Sequence, residues 1–166
     1  MRSFTVRVAT VTVLAIIGAG CVPDPPQGTV ISAPSDCLGR GPGADLHGCD
    51  LRNLDLVGLN LSGATLESAT LNGANLTGAN LTGANLTGAK LGLTLLTSAN
   101  LTGANLTGAN LTKANLTDAN LTNANLTNAI LWFTVLFVAN LTGTVFTGAG
   151  WFNTTCPNGM VQDTPC

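Results

Sequence analysis

The apolar positions of this chain recur every five residues. From Leu46 to Trp151 a large apolar residue stands at every fifth position without a slip: Leu46, Leu51, Leu56, Leu61 and onward, with Phe146 and Trp151 last. Two places before most of them is a small residue, mostly alanine (Ala44, Ala64, Ala69, Ala74, Ala79), although Cys49, Leu54 and Leu59 take that place near the start. A period of five fits neither regular element. At about 100° per residue, successive leucines on a helix land roughly 140° apart, and on a flat strand they alternate between faces. Within one unit, Ala-Asn-Leu-Thr alternates in and out as a short strand does. The fifth residue is mostly Gly, Asn or Ser, types that tolerate a turn. If every unit ends in a corner, all the leucines point to one axis. The chain then winds into a solenoid that buries Leu and Ala and exposes Asn and Thr.

Units such as Ala74-Asn75-Leu76-Thr77-Gly78 resemble the pentapeptide-repeat family, and the resemblance covers residues 44–151. It implies an all-β fold, the right-handed quadrilateral β-helix with four units per coil. Residues twenty apart would then stack, and the twenty-two units from Leu46 to Trp151 would make about five and a half coils, roughly 26 Å long at the usual strand spacing. Charged residues are only 8% of the chain. Low charge with many small residues also occurs in disordered chains, but those lack a regular apolar residue, so a repeat protein is the better reading.

The first twenty residues differ from the rest. Arg2 and Arg7 make a short basic start, and the apolar run Val8–Gly20 is too short for a membrane span, which takes about 20 residues in a helix. Residues 1–20 therefore read as a secretory signal peptide with small residues before the cut. The stretch Ile17-Gly18-Ala19-Gly20-Cys21 resembles a bacterial lipobox, which implies lipid attachment at Cys21; Gly18 stands where that pattern has a large aliphatic residue. Simple secretion is the alternative. Residues 21–43, rich in Pro and Gly, read as a tether, residues 44–152 as the repeat domain, and residues 153–166 as a C-terminal cap. The chain has five cysteines. Assigning Cys21 to lipid leaves Cys37, Cys49, Cys156 and Cys166 as disulfide candidates, with three connectivities open. Closure of an N-terminal loop by Cys37–Cys49 and a C-terminal one by Cys156–Cys166 is expected, although Cys49 sits at an inward position where a buried thiol would also fit. The charges of the first coil (Asp45, His47, Asp50, Arg52, Asp55) would protect an open edge against strand pairing.

Catalytic chemistry finds little to use. His47 is the only histidine and there is no tyrosine. His47 lies at an outward repeat position with no nucleophile placed beside it, as a triad would need. Cys37, His47, Cys49 and Asp50 have the residue types of a zinc set, but export favours disulfides. No enzyme, metal or cofactor is expected. Some members of the family mimic DNA through an acidic surface. A 26 Å rod of that kind would want roughly 15 negative charges, and residues 44–151 carry five acids against Arg52, Lys90 and Lys113. Neither DNA mimicry nor nucleic-acid binding is therefore expected.

Two surface features remain. The outward pattern breaks at Leu93 and Leu95, and again at Ile130, Trp132, Phe133, Val135, Phe137 and Val138. The breaks are forty residues apart, hence on the same faces and corner, and Trp132 is expected to stack on Phe152 one coil later. Such an apolar patch is a candidate contact for a second copy, a protein partner or a membrane surface, unless the C-terminal cap folds over it. The other feature is a regular ladder along one face: Asn60, Asn80, Asn100, Asn120 and Asn140 beside Ser62, Thr82, Thr102, Thr122 and Thr142. It is a candidate face for ice or a polysaccharide, or simply a surface that stacks well. The expectation is an exported structural or protein-interaction element of the cell envelope, held to the membrane through lipid at Cys21 or otherwise secreted.

Overall fold

The computed structural model describes the backbone of residues 3–8 and 11–16, residues 37 and 39, and residues 41–166. Cys21 and most of the expected tether lie outside the described residues. Near the N-terminus, β1 (Ser3–Val8) pairs antiparallel with β2 (Val11–Ile16).

The rest is a solenoid with a twenty-residue coil. Parallel bridges join Asp45 to Thr65, Asp50 to Thr70 and so on through Val135 to Thr155, each pair twenty residues apart. Five-residue units on a twenty-residue repeat give four faces. They are numbered here in chain order from Ala44: face 1 is centred on Leu46, face 2 on Leu51, face 3 on Leu56 and face 4 on Leu61. Each unit is extended for three residues and then turns. The turn is a tight four-residue one, in which the amide after the corner donates to the central carbonyl three residues back, as Cys49 N does to Leu46 O at 3.1 Å. Its third residue needs positive φ, as in a type II turn. Every corner residue from Gly43 to Asn153 has it, with φ between 49° and 69°.

The coils are stitched by two kinds of ladder bond. Leu46 N donates to Thr65 O at 2.7 Å, and Thr65 N donates back to Ala44 O at 2.9 Å. At the corners one more bond joins the coils, with the same nineteen-residue step as Leu46 N to Thr65 O: Gly48 N donates to Glu67 O at 2.8 Å. The central leucines and the alanines between Leu61 and Leu136 are almost fully buried and form one continuous core. Three threonines share that interior: Thr94, Thr134 and Thr154 stand where face 3 otherwise carries alanine or Leu54. Each is tolerable because its hydroxyl donates to a core carbonyl: Thr94 to Leu71 O and Thr134 to Leu111 O at 2.8 Å, and Thr154 to Leu131 O at 2.6 Å.

Both ends are stapled through core columns. Cys49, in the alanine column of face 2, is bonded to the buried Cys37. Cys156, in the leucine column of face 3, is bonded to Cys166. Beyond Trp151 the ladder continues on face 3 through β3 (Thr154–Thr155), and β4 (Val161–Gln162) pairs antiparallel with β3. The Asn158-Gly159 dipeptide lies between them, a hairpin signal, with Gly159 at φ 83°. On the other three faces the last coil is only half covered: Leu141, Phe146 and Trp151 pack on the core without being fully buried. The Trp151 indole nitrogen is buried with no hydrogen-bond partner.

Candidate functional site

The outward surface of the solenoid is largely occupied with itself. In the face 4 ladder, Asn80 Oδ1 accepts from both Thr82 N (3.1 Å) and Thr82 Oγ1 (2.6 Å), and the same pair of bonds recurs at Asn100–Thr102 and Asn120–Thr122. This is an Asx turn reinforced by a hydroxyl. It is not peculiar to face 4, since Asn85–Thr87 on face 1 and Asn115–Thr117 on face 3 make it as well. Only Asn80 Nδ2 to Asn60 Oδ1, at 3.2 Å, links ladder asparagines between coils. The threonine hydroxyl protons are thus spent within their own units.

The charged first coil makes a local pair. Asp50 and Arg52 form a bidentate contact, with Arg52 Nη2 to Asp50 Oδ2 at 2.6 Å, the only ion pair among the described residues. The hydrogen bond from the guanidinium lowers the Asp50 carboxyl below its usual range. His47 is exposed, and its backbone amide donates to Asp45 Oδ1. Cys37 and Cys49 are spent in a disulfide, so the zinc set of Cys37, His47, Cys49 and Asp50 has no thiolates to offer.

The individuality of the surface lies where faces 2 and 3 meet. The bridge series sets Leu95, Asn115 and Val135 in one column of face 3, and Lys90, Asn110 and Ile130 in one column of face 2. Leu93 and Phe133 occupy the corner between these faces, and Val138 the corner between faces 3 and 4. Most of these side chains face solvent: Leu93 is 61% exposed, Val138 56%, Phe152 49%, Trp132 48%, Phe137 46% and Phe133 41%. Ile130 and Val135 are half-buried, and Leu95 is exposed.

The C-terminal segment does not cover this surface. It touches one side, where a Cβ placed on Gly159 would lie 3.4 Å from Phe137 Cε2, yet Phe137 stays nearly half exposed. The hairpin instead adds the exposed apolar side chains of Met160 and Val161. These two, with Val57 and Val145, are exposed apolar residues that reading the repeat did not single out. Val57 and Val145 are single breaks in an outward column, and the sequence signal for Met160 and Val161 was the preceding Asn-Gly turn.

The expected stacking of Trp132 on Phe152 is not the ring contact formed. Phe152 meets Phe133 edge-on, with ring centroids 5.2 Å apart and planes at 83°. Trp132 instead leans over Gly150, where a Cβ would lie 3.4 Å from its Nε1, and Phe133, whose N donates to Phe152 O at 2.7 Å, is left as the ring neighbour of Phe152.

The corner also carries strain. Leu93, Phe133 and Val138 sit at φ 60°, 57° and 58°, in the left-handed region that the other corners fill mostly with Gly, Asn or Ser. That conformation costs an L-residue roughly 1–2 kcal/mol, and it suits a β-branched side chain least. Neither Leu93 nor Val138 recovers this by burial.

A family model for pentapeptide repeats matches residues 42–67, 60–97 and 94–132, in eight copies, more than half of the chain. Solved structures similar to it include a pentapeptide repeat protein from the thylakoid lumen of Arabidopsis thaliana, 33% identical over 71% of this chain and 72% of that one, with a TM-score of 0.47. HetL, a pentapeptide repeat protein involved in heterocyst differentiation regulation from the cyanobacterium Nostoc sp. strain PCC 7120, is 33% identical over 73% of this chain and 69% of its own, with a TM-score of 0.32. QnrB1, a plasmid-mediated fluoroquinolone resistance protein, is 14% identical over 76% of this chain and 84% of its own, with a TM-score of 0.44. No curated protein matches the chain.

Proposed function

The chain belongs to the pentapeptide-repeat family, whose fold is a right-handed quadrilateral β-helix, and from that premise we propose that it is a non-enzymatic scaffold of the bacterial cell envelope, exported and held to the membrane through lipid on Cys21. Its working surface is the apolar corner between faces 2 and 3. The observation that carries this reading is the contrast between two kinds of surface. Most of the outward repeat spends its hydrogen bonds on itself, whereas the corner keeps large apolar side chains exposed at positive φ. Strain retained without compensating burial is a sign of use. The two disulfides support an oxidising compartment. The basic start, the apolar run and Cys21 supply the route to it. Five acids over residues 44–151 speak against DNA mimicry. The self-paired hydroxyls of face 4 speak against a ligand ladder for ice or polysaccharide.

The test is metabolic labelling of bacteria expressing the chain with an alkyne fatty acid, followed by membrane fractionation. Loss of the label and a weakened, salt-sensitive membrane association are expected in Cys21→Ser. An unlabelled chain found in the cytoplasm with reduced cysteines would sink the proposal.

A further inference from the structure

We infer that the corner between faces 2 and 3 docks edge-on into the interface of an anionic lipid bilayer. The inference rests on the envelope reading only in that it needs a membrane nearby. Three observations carry it.

The first is size. The patch runs from the coil of Leu93 to that of Phe152, about 14 Å along the axis, and spans two faces of about 10 Å each. That is on the order of 300 Å², well short of the roughly 800 Å² per partner that a stable protein interface buries. The patch is also convex, since it wraps an edge where two faces meet. A fluid surface accommodates a protruding wedge of rings without needing a complementary groove.

The second is charge. Among residues 41–166 the cations are Arg52, Lys90 and Lys113, and all three lie on face 2 or its corner. Asp50 occupies Arg52, while Lys90 and Lys113 are exposed and make no ion pair among the described residues. Lys90 is two steps below Ile130 in one column, and Lys113 N donates to Trp132 O at 2.8 Å. Two carboxylates flank the patch: Asp118, one coil below Val138 on the far corner, accepts from Ser98 Oγ at 2.9 Å, and Asp163 accepts from Asn153 N at 2.6 Å at the C-terminal end of the corner column, beside Phe152 and away from Lys90 and Lys113. Two lysines beside Trp and Phe match what an interfacial surface offers an anionic membrane: rings at the acyl boundary and flexible ammonium groups that reach the phosphates.

The third is the strain itself. Leu93, Phe133 and Val138 project from corners where Asn or Gly would fit the backbone better, so the fold is not what these residues serve.

The test uses the full chain with Cys21→Ser, to remove the acylation site, and Trp151→Phe, to leave Trp132 as the sole tryptophan. The chain is mixed with vesicles of phosphatidylcholine, alone or with phosphatidylglycerol, carrying brominated acyl chains. Reading Trp132 isolates the corner from the apolar N-terminal segment. A blue shift and quenching of Trp132 are expected, stronger with phosphatidylglycerol and weakened by salt as the Debye length falls from about 10 Å at 0.1 M to about 3 Å at 1 M. Phe133→Asn should weaken corner partitioning roughly tenfold or more while leaving the fold intact, since Asn suits that corner. Lys90→Glu with Lys113→Glu should abolish the preference for phosphatidylglycerol. Trp132 that stays unquenched on both vesicle types overturns the inference, as does quenching that Phe133→Asn leaves unchanged. So does a doubled mass by light scattering without vesicles that Phe133→Asn reverts, because the corner would then be a contact between copies. Trp132 quenching in the Cys21→Ser chain, together with a chain retaining Cys21 that takes up no fatty-acid label, would support the corner and overturn the lipid anchor alone.

Discussion

Replacing Val138 by asparagine should make this protein more stable, although it removes an apolar side chain. Val138 sits at φ 58° with 56% of its surface exposed. A left-handed backbone costs an L-residue about 1–2 kcal/mol, and asparagine largely escapes that cost because its short polar side chain bonds locally. Asn123 and Asn128 hold equivalent corners at φ 57° and 58°. Against this stands the lost apolar burial. With less than half of Val138 covered, and about 1.5–3 kcal/mol for full burial of such a side chain, the loss is about 1 kcal/mol at most. The backbone amide of residue 138, which donates to Pro157 O at 3.0 Å, is unaffected. The net expectation is a gain of about 0.5–1 kcal/mol. It would be read as a higher urea midpoint at unchanged slope, or as a rise in Tm of about 2–4 °C for a chain of this size, with both disulfides oxidised. Val138→Thr keeps the β-branch and removes the apolar surface, so it should gain nothing. The reasoning fails if Val138→Asn loses 0.5 kcal/mol or more, or if Val138→Thr gains as much as Val138→Asn; the corner would then be stabilised by packing and not strained.

Other outcomes follow from the same geometry. Gly78→Ala and Gly143→Ala should each cost about 1–2 kcal/mol in parallel urea melts, because both sit at positive φ. A Cβ at Gly78 meets nothing within 4 Å and one at Gly143 clashes only with the Asn123 side-chain oxygen, which can swing aside, so the two costs should agree within about 0.5 kcal/mol. Reducing the disulfides should lower stability by about 2–4 kcal/mol for each closed loop, and Cys166→Ala alone should raise amide exchange in β3 and β4 before it does so in the central coils. Acidification should weaken the first coil slightly. The Asp50 carboxyl is lowered mainly by its hydrogen bond from Arg52, so its contribution is present above the unfolded carboxylate value near 3.9 and is lost as pH falls through the lower folded value. Arg52→Ala should flatten that part of the stability profile, and an unchanged profile would count against the pair.

Much of the fold was legible because the repeat constrains it redundantly. One five-residue beat with a turn-tolerant fifth position fixes which residues face in and where the chain turns, and the family resemblance adds, through four units per coil, which residues stack. The positive φ of every corner from Gly43 to Asn153 is that reading in backbone terms. The cysteine pairs were legible as one loop closure at each end, but the inward position of Cys49 also suited a buried thiol, and only the structure shows it bonded to Cys37 and places Cys156 in a core column. The candidate site was legible as a set of breaks in the pattern, Leu93 and Leu95 and then Ile130 to Val138. Its ring contacts were not. Predicting Trp132 on Phe152 took backbone stacking for ring contact, whereas the Trp132 indole leans over Gly150 and Phe133 meets Phe152.

The sequence by itself determined a solenoid, because a leucine period that fits neither helix nor sheet has one way to bury every leucine. Stacking of residues twenty apart was what the family resemblance implied, and the bridge series and corner bonds then place Lys90 and Lys113 on the edge of the aromatic run. Only the tertiary structure decided what is open and what is closed. The C-terminal hairpin was free, on sequence grounds, to lie over Trp132 and Phe133. It pairs instead along the end of face 3, where Thr155 continues the column of Val135 and Cys156 takes a core position. The physical reason is that a sheet end presents backbone groups that must be paired, and the hairpin meets that need on face 3. Hydroxyl direction was also a matter for three dimensions: the ladder threonines turn to their own asparagines, and Thr94, Thr134 and Thr154 turn inward to core carbonyls. What remains facing water, and unsatisfied by it, is the corner.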